Sequence, residues 1–182
     1  RRASRYYVCR RRRAVKSCRV QRKARRATRA TKTLVVDSRA KGARGEYLVR
    51  DMLREATGHQ FERVPASGAL DYLKGDIYVP HAKNRFCIEV KNYEKSPLSD
   101  KMFTAPRTNN LIKWWKKLIQ QAEGGNQEPL LFFKYNRSEV FVVTALLPEF
   151  TDHWIHIQWL DCYVLLAKTW LADEKVEFLD GI

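Results

Sequence analysis

From Glu46 to Thr57 the apolar positions recur with a helical period: Leu48, Met52 and Ala56 fall on one stripe, with Val49 and Leu53 beside it. The spacing predicts an amphipathic helix, opened by Lys41-Gly42-Ala43-Arg44-Gly45 and closed by Gly58 as a left-handed cap. Glu46 precedes Val49 and Leu53 by helical steps, so its carboxylate belongs at the edge of the core-facing side. A short strand is expected over about Gln60 to Val64, followed by the turn-like Pro65-Ala66-Ser67-Gly68. Asp76 to Val79 and Phe86 to Lys91 read as two strands joined through Pro80 to Arg85.

A polar loop, Asn92 to Thr108, leads into a second helix from roughly Asn109 to Glu123, ended by Gly124-Gly125. Leu111, Trp115, Leu118 and Ile119 form its apolar stripe, which makes Trp115 a core residue and leaves Trp114 open as an interface residue. Leu130 to Tyr135 and Val140 to Leu147 read as strands around Asn136-Arg137-Ser138, and the Leu-rich Tyr163 to Leu171 as a final helix. No internal repeat is visible. The fold class is α/β, a small domain with a mixed, partly antiparallel sheet flanked by helices.

Composition adds two exclusions. With 45% hydrophobic and 12% aromatic residues in 182 positions, the chain has the means to build a core, which excludes wholesale disorder. No uncharged apolar run approaches the roughly 18 residues of a membrane span, so no membrane partner is expected. The formal charge of +15 points to an anionic partner, but it is unevenly spread. Residues 1–41 hold 17 of the 35 Lys and Arg and one of the 20 acids, leaving 18 bases against 19 acids in the remainder. The basicity belongs to a tail, residues 1–40, attached to a nearly neutral domain, residues 41–182. Such a tail suits nucleic-acid contact by phosphate neutralisation. An organelle transit segment is also Arg-rich and acid-poor, but this segment lacks the amphipathic pattern and Ser content of one.

Cys9, Cys18, Cys87 and Cys162 form no C-x-x-C pair, and His59, His81, His153 and His156 add no zinc-finger spacing. The cysteine usage suggests a reducing, intracellular compartment rather than a disulfide scaffold, with Cys87 inert in its apolar strand.

The candidate chemistry lies in the hairpin. If Val79 pairs with Phe86, Asp76 faces Glu89 on one side of the sheet and Lys91 shares that side. Opposed carboxylates repel, and a bound divalent cation would convert the repulsion into coordination. Asp76, Glu89 and the carbonyl of Val90 are the candidate ligands. Lys91 is the candidate to orient a water, to accept its proton if the local field depresses the lysine, or to stabilise developing negative charge. Taken alone, Glu-x-Lys is a common cross-strand ion pair; the ordered combination is what carries weight.

That order is Glu46 on a helix, Arg63-Val64-Pro65-Ala66-Ser67-Gly68, Gly75-Asp76-Ile77, then Ile88-Glu89-Val90-Lys91. It resembles the archaeal-type Holliday-junction resolvases of the PD-(D/E)xK nuclease superfamily, over roughly Lys41 to Tyr135. The resemblance implies a restriction-endonuclease-like domain and a Mg²⁺-dependent DNA endonuclease, with Mn²⁺ able to substitute, that resolves four-way junctions by paired nicks. Two nicks on opposing strands need two sites, so a two-fold homodimer is expected. It implies Asp76 and Glu89 as metal ligands, Lys91 as the catalytic lysine, Glu46 completing the acidic site and Ser67 beside the scissile phosphate. Gly75 stands where the superfamily often has proline. The segment from about Ser138 onward has no matched counterpart and reads as a C-terminal extension. Two other readings remain open: a nuclease of the same superfamily acting on other DNA or RNA, and a non-catalytic nucleic-acid-binding protein. Clustered carboxylates, which repel phosphate, argue against the second.

Overall fold

The computed structural model describes residues 37–64 and 74–180. Ser67 and the basic residues 1–36 lie outside the described residues. The chain divides into two units, 1–38 and 39–182. The second unit, with the start of its first helix, carries the sheet and its flanking helices.

Helix α1 spans Ser38–Thr57, two turns earlier than the apolar pattern suggested. The glycines that looked like a break are inside the helix. At Gly45 an added Cβ would lie 2.8 Å from the Cβ of Asn92. A glycine costs a helix about 1 kcal/mol relative to alanine, and here it lets the helix press against the neighbouring strand. Asn92 also donates to the Lys41 carbonyl at 3.0 Å. The buried stripe is Gly45, Val49 and Leu53, while Leu48 and Ala56 turn outward, so the helix is rotated from the expected face. Gly58 closes α1 with φ +75°, its amide donating to the Arg54 carbonyl.

Strands β1 (Glu62–Arg63), β2 (Ile77–Tyr78) and β3 (Phe86–Asn92) come next. Helix α2 (Lys101–Thr104) and a 3₁₀ turn (Pro106–Thr108) interrupt the expected loop. Helix α3 (Asn110–Gly124) is capped by the side chain of Asn109, which accepts from the Ile112 amide. Then come β4 (Glu128–Lys134), β5 (Phe141–Thr144), β6 (Trp154–Ile157), β7 (Cys162–Leu166) and helix α4 (Ala167–Asp173). The expected final helix over Tyr163 to Leu171 is therefore strand in its first half. A short continuous apolar run does not distinguish a buried strand from a buried helix, and Tyr163-Val164-Leu165 completes the ladder with β5.

Among the described residues the strands form one mixed sheet in the order β1-β2-β3-β4-β5-β7-β6. Within it only β3 and β4 pair in parallel, with α3 as the crossover between them. Strand alternation assigns the layers. Ile88 and Val90 point to the layer of α1, where Val49, Leu53, Phe61, Phe132, Trp170 and Phe178 are buried. Cys87, Leu131 and Phe133 point to the opposite layer, filled by Leu111, Trp115, Leu118 and Ala122 of α3. β5, β6 and β7, from the segment that looked like an extension, belong to the same sheet.

Trp115 is the largest side chain of the α3 layer and is 1% exposed, with its indole donating to the Leu160 carbonyl at 3.1 Å. Trp115→Ala is expected to cost about 3–5 kcal/mol, read as a lowered denaturant midpoint. Trp115→Phe keeps most of the volume and should lose nearer 1 kcal/mol for the missing hydrogen bond.

Candidate functional site

The hairpin register is the one the sequence suggested: Ile77 pairs with Ile88, which sets Asp76 opposite Glu89. The ladder then departs from regularity. The Asp76 amide donates to the Ile88 carbonyl at 2.6 Å, and an added Cβ on Gly75 would lie 2.6 Å from that same oxygen. Gly75 has φ +88°. Proline, locked near −65°, cannot adopt that angle, which accounts for the glycine before Asp76.

This turn aims the Asp76 carboxylate along β3, where its Oδ2 accepts from the Val90 amide at 2.8 Å. Asp76 is 7% exposed. Glu89 and Lys91 alternate onto the same side, and the Lys91 ammonium donates to the Glu89 carboxylate while lying 4.0 Å from Asp76 Oδ2. Three of the expected residues therefore converge: two largely buried carboxylates and one lysine. Burial raises the Glu89 carboxyl above its ordinary range, and the Asp76 charge adds to the rise, against the opposing pull of Lys91. Burial alone would lower Lys91, but the charges of Glu89 and Asp76 outweigh it and hold the ammonium above its usual value. The local field thus favours a permanently charged lysine, not one poised to accept a proton.

Glu46 is not brought to this pair. Helix α1 covers the Ile88 and Val90 face, whereas Glu89 and Lys91 point to the other face. The Glu46 carboxylate instead accepts from Arg63, with Nε at 2.6 Å and the second guanidinium contact at 2.5 Å. The Arg63 guanidinium also lies over the Tyr47 ring at 4.5 Å. Among the described residues no group of three or more His, Cys, Asp or Glu is placed to hold a metal ion. The donor chemistry still suits a hard cation. Mg²⁺ is ordinarily held by one or two carboxylates plus waters and substrate phosphate, not by a complete protein cage. Asp76 and Glu89 supply that number, beside the backbone of Val90.

Cys87 lies on the same side of β3, where burial first, and then Glu89 and Asp76, push its thiol up to about 12. A buried thiol that stays protonated offers little reactive thiolate. Two residues that the sequence pattern did not place at the site adjoin it: the Lys117 charge acts on Glu89, and Tyr93 follows Lys91 on the same side of the extended strand. For Tyr93 the usable signal was its alternation with Lys91 along the strand; Lys117 required knowledge of the α3 rotation.

Three comparisons bear on this arrangement. The family described as "Phage putative PDDEXK endonuclease" matches residues 37–170, which takes in β5, β6 and β7. Protein D14 of Escherichia phage T5 is 45% identical over 159 residues, covering 80% of this chain and 99% of that protein. The solved structure of Archaeoglobus fulgidus Hjc, described as a Holliday junction resolvase from an archaeal hyperthermophile, shares 19% identity and covers 69% of this chain and 88% of its own, with a TM-score of 0.39. So low a score carries nothing about substrate.

The turn before Asp76 is open to a direct test. Gly75→Ala forces a side chain into left-handed backbone and against the Ile88 carbonyl. It should destabilise the domain by at least about 1–2 kcal/mol from the backbone angle alone, measured by urea denaturation. Full stability in this variant would mean that the turn does not hold Asp76 as described.

Proposed function

Because the chain belongs to the phage putative PDDEXK endonuclease family, and so to the PDDEXK nucleases, we propose that it is a Mg²⁺-dependent, structure-selective DNA endonuclease that resolves four-way junctions. The observation that carries the reading is the convergence of Asp76, Glu89 and Lys91 at one end of the β2–β3 hairpin. Asp76 and Glu89 are the proposed metal ligands, with Val90 contributing its carbonyl. A divalent cation bound there supplies Lewis-acid chemistry, lowering the pKa of a water and drawing charge from a phosphate. Lys91, held charged by its two neighbours, stabilises the negative charge that develops on the phosphate as it is attacked. The Val90 amide fixes the Asp76 carboxylate in place, which limits the reorganisation needed when substrate arrives. Ser67, outside the described residues, remains a proposed contact to the scissile phosphate. Glu46 would have to leave Arg63 to join the acidic site.

Resolution of a junction requires two nicks on opposing strands, and one chain offers one site. A homodimer with a two-fold axis supplies two sites at fixed separation. The exposed apolar side chains of the C-terminal third, Phe150, Ile155, Trp159 and Leu166, together with the β6 sheet edge, support a contact there.

Cleavage of matched four-way junction, flap and linear duplex, with and without Mg²⁺, tests the reading. Paired nicks in the junction, dependent on the cation and on dimers, are expected. Asp76→Asn, Glu89→Gln and Lys91→Ala should each abolish cleavage while leaving DNA binding largely intact. Wild-type cutting by an Asp76/Glu89 double variant would show the site to be elsewhere. Equal cutting of junction and duplex by a monomer would leave a nuclease without the resolvase role.

Removal of residues 1–40 should weaken non-specific binding and flatten its salt dependence. Each phosphate that the tail no longer neutralises lowers the slope of log K against log salt by about 0.9 on duplex DNA. An unchanged slope, measured by anisotropy titration across salt concentrations, would exclude the tail as a DNA contact.

A further inference from the structure

The side of β3 that carries Glu89 and Lys91 continues outward to Tyr93, whose amide donates to the Lys134 carbonyl and so extends the ladder past Asn92. Tyr93 is 42% exposed, and its ring meets that of Trp114 on α3 with centroids 4.6 Å apart and planes at 52°. As the crossover between two parallel strands, α3 runs back along β3. Three residues beyond Trp114 the helix has advanced about 4.5 Å, while two residues back from Tyr93 the strand has retraced about 6.6 Å. That step places Lys117 beside Lys91 and Glu89. The Lys117 ammonium acts electrostatically on the Glu89 carboxylate, in agreement with that step. Lys113, Lys116 and Lys117 are all exposed on this helix.

We propose that Tyr93, Trp114 and Lys117 form a nucleotide subsite beside the carboxylate pair, taking an unstacked nucleotide of the cleaved strand with its base against the aromatic pair and its phosphate on the Lys117 ammonium. The proposal rests on the nuclease reading and adds a preference within it. Aromatic side chains offer a face to any base, but only a base that has lost a stacking neighbour has a face to give in return. In continuous duplex both faces are covered. At a branch point, a gap or a flap the base beside the cut is free to stack on protein. The exposed lysines match the phosphates that flank such a base. Buried carboxylates would repel an approaching DNA backbone, and a cation on the opposite wall offsets that repulsion where the strand must come nearest.

The test is metal-free binding, in EDTA, of the full chain to two labelled DNAs of equal length. One is fully paired; the other has unpaired nucleotides at its centre. Tyr93→Ser should weaken binding to the second by about 5- to 150-fold, the range for removing the stacking of one base, and leave the paired duplex unchanged. Lys117→Ala should lower the salt slope by about 0.7 to 0.9, one phosphate contact, on the DNA with unpaired nucleotides. Tyr93→Leu keeps an apolar side chain at the helix contact and should behave as Tyr93→Ser, which separates stacking from folding; melting curves establish that each variant is folded. Equal losses on both DNAs, or no loss with either Tyr93 variant, would overturn the subsite. Cleavage by the wild type in Mg²⁺ is measured separately. Selective binding loss without any wild-type cleavage would overturn the nuclease reading alone, whereas cleavage without selective binding loss would overturn the subsite alone.

Discussion

Two carboxylates side by side within a sheet are unfavourable unless something meets their charge. Here the Asp76 carboxylate takes the Val90 amide and Glu89 takes the Lys91 ammonium, while Lys91 stands within 4.0 Å of Asp76. The arrangement depends on a backbone that does not yield. β3 is held along its whole length by parallel pairing to β4, and the Asp76 turn is locked beneath the Ile88 carbonyl, where only glycine fits at position 75. Burial, with the Asp76 charge behind it, still holds the Glu89 carboxyl above its ordinary range against the pull of Lys91.

The same strand divides the molecule. Alternation sends Ile88 and Val90 to one layer and Cys87, Glu89 and Lys91 to the other, so packing and chemistry are assigned by parity along seven residues. This also explains why Glu46 stands apart. Its position on α1 is at the edge of a core-facing side, as its helical spacing implies, but that side belongs to the layer opposite the carboxylates. The guanidinium of Arg63, from the strand beside β2, meets it there.

Much of this was legible in the sequence because it is local or periodic. The register of the hairpin came from its two apolar runs, and with it the convergence of Asp76, Glu89 and Lys91. Trp115 came from the helical stripe, and the Gly58 cap from its place after the last periodic residue. Features set by long-range packing were not legible. Gly42 and Gly45 look like a break to any local rule, yet Gly45 is the point where α1 meets Asn92. The strand character of Tyr163 to Leu165 depends on β5 and β6 lying on either side. Lys117 looked like one solvated lysine among three, because only the crossover shows which of them faces Glu89.

A groove elsewhere on the domain lies on the other side of the sheet from the carboxylate pair. That groove, of about 820 Å³, lies between α1 and α4, lined by Leu48, Met52, Leu171 and Val176, with Asp51 and Glu55 along its α1 wall. It belongs to the α1 layer, and Lys168 and Lys175 on its lining balance the two acids. The carboxylate pair lies instead on the α3 side of the sheet, toward the Tyr93 and Trp114 rings and the exposed lysines of that helix. The domain from residue 42 onward is close to neutral in sum, so attraction of a polyanion to it must come from local placement of charge and not from net charge. Lys117 supplies that placement toward Glu89, with Lys113 and Lys116 exposed on the same helix. A polymer with charge on every unit needs cations beside the acids that would otherwise repel it, and Lys91 of β3 and Lys117 of α3 both act on Glu89.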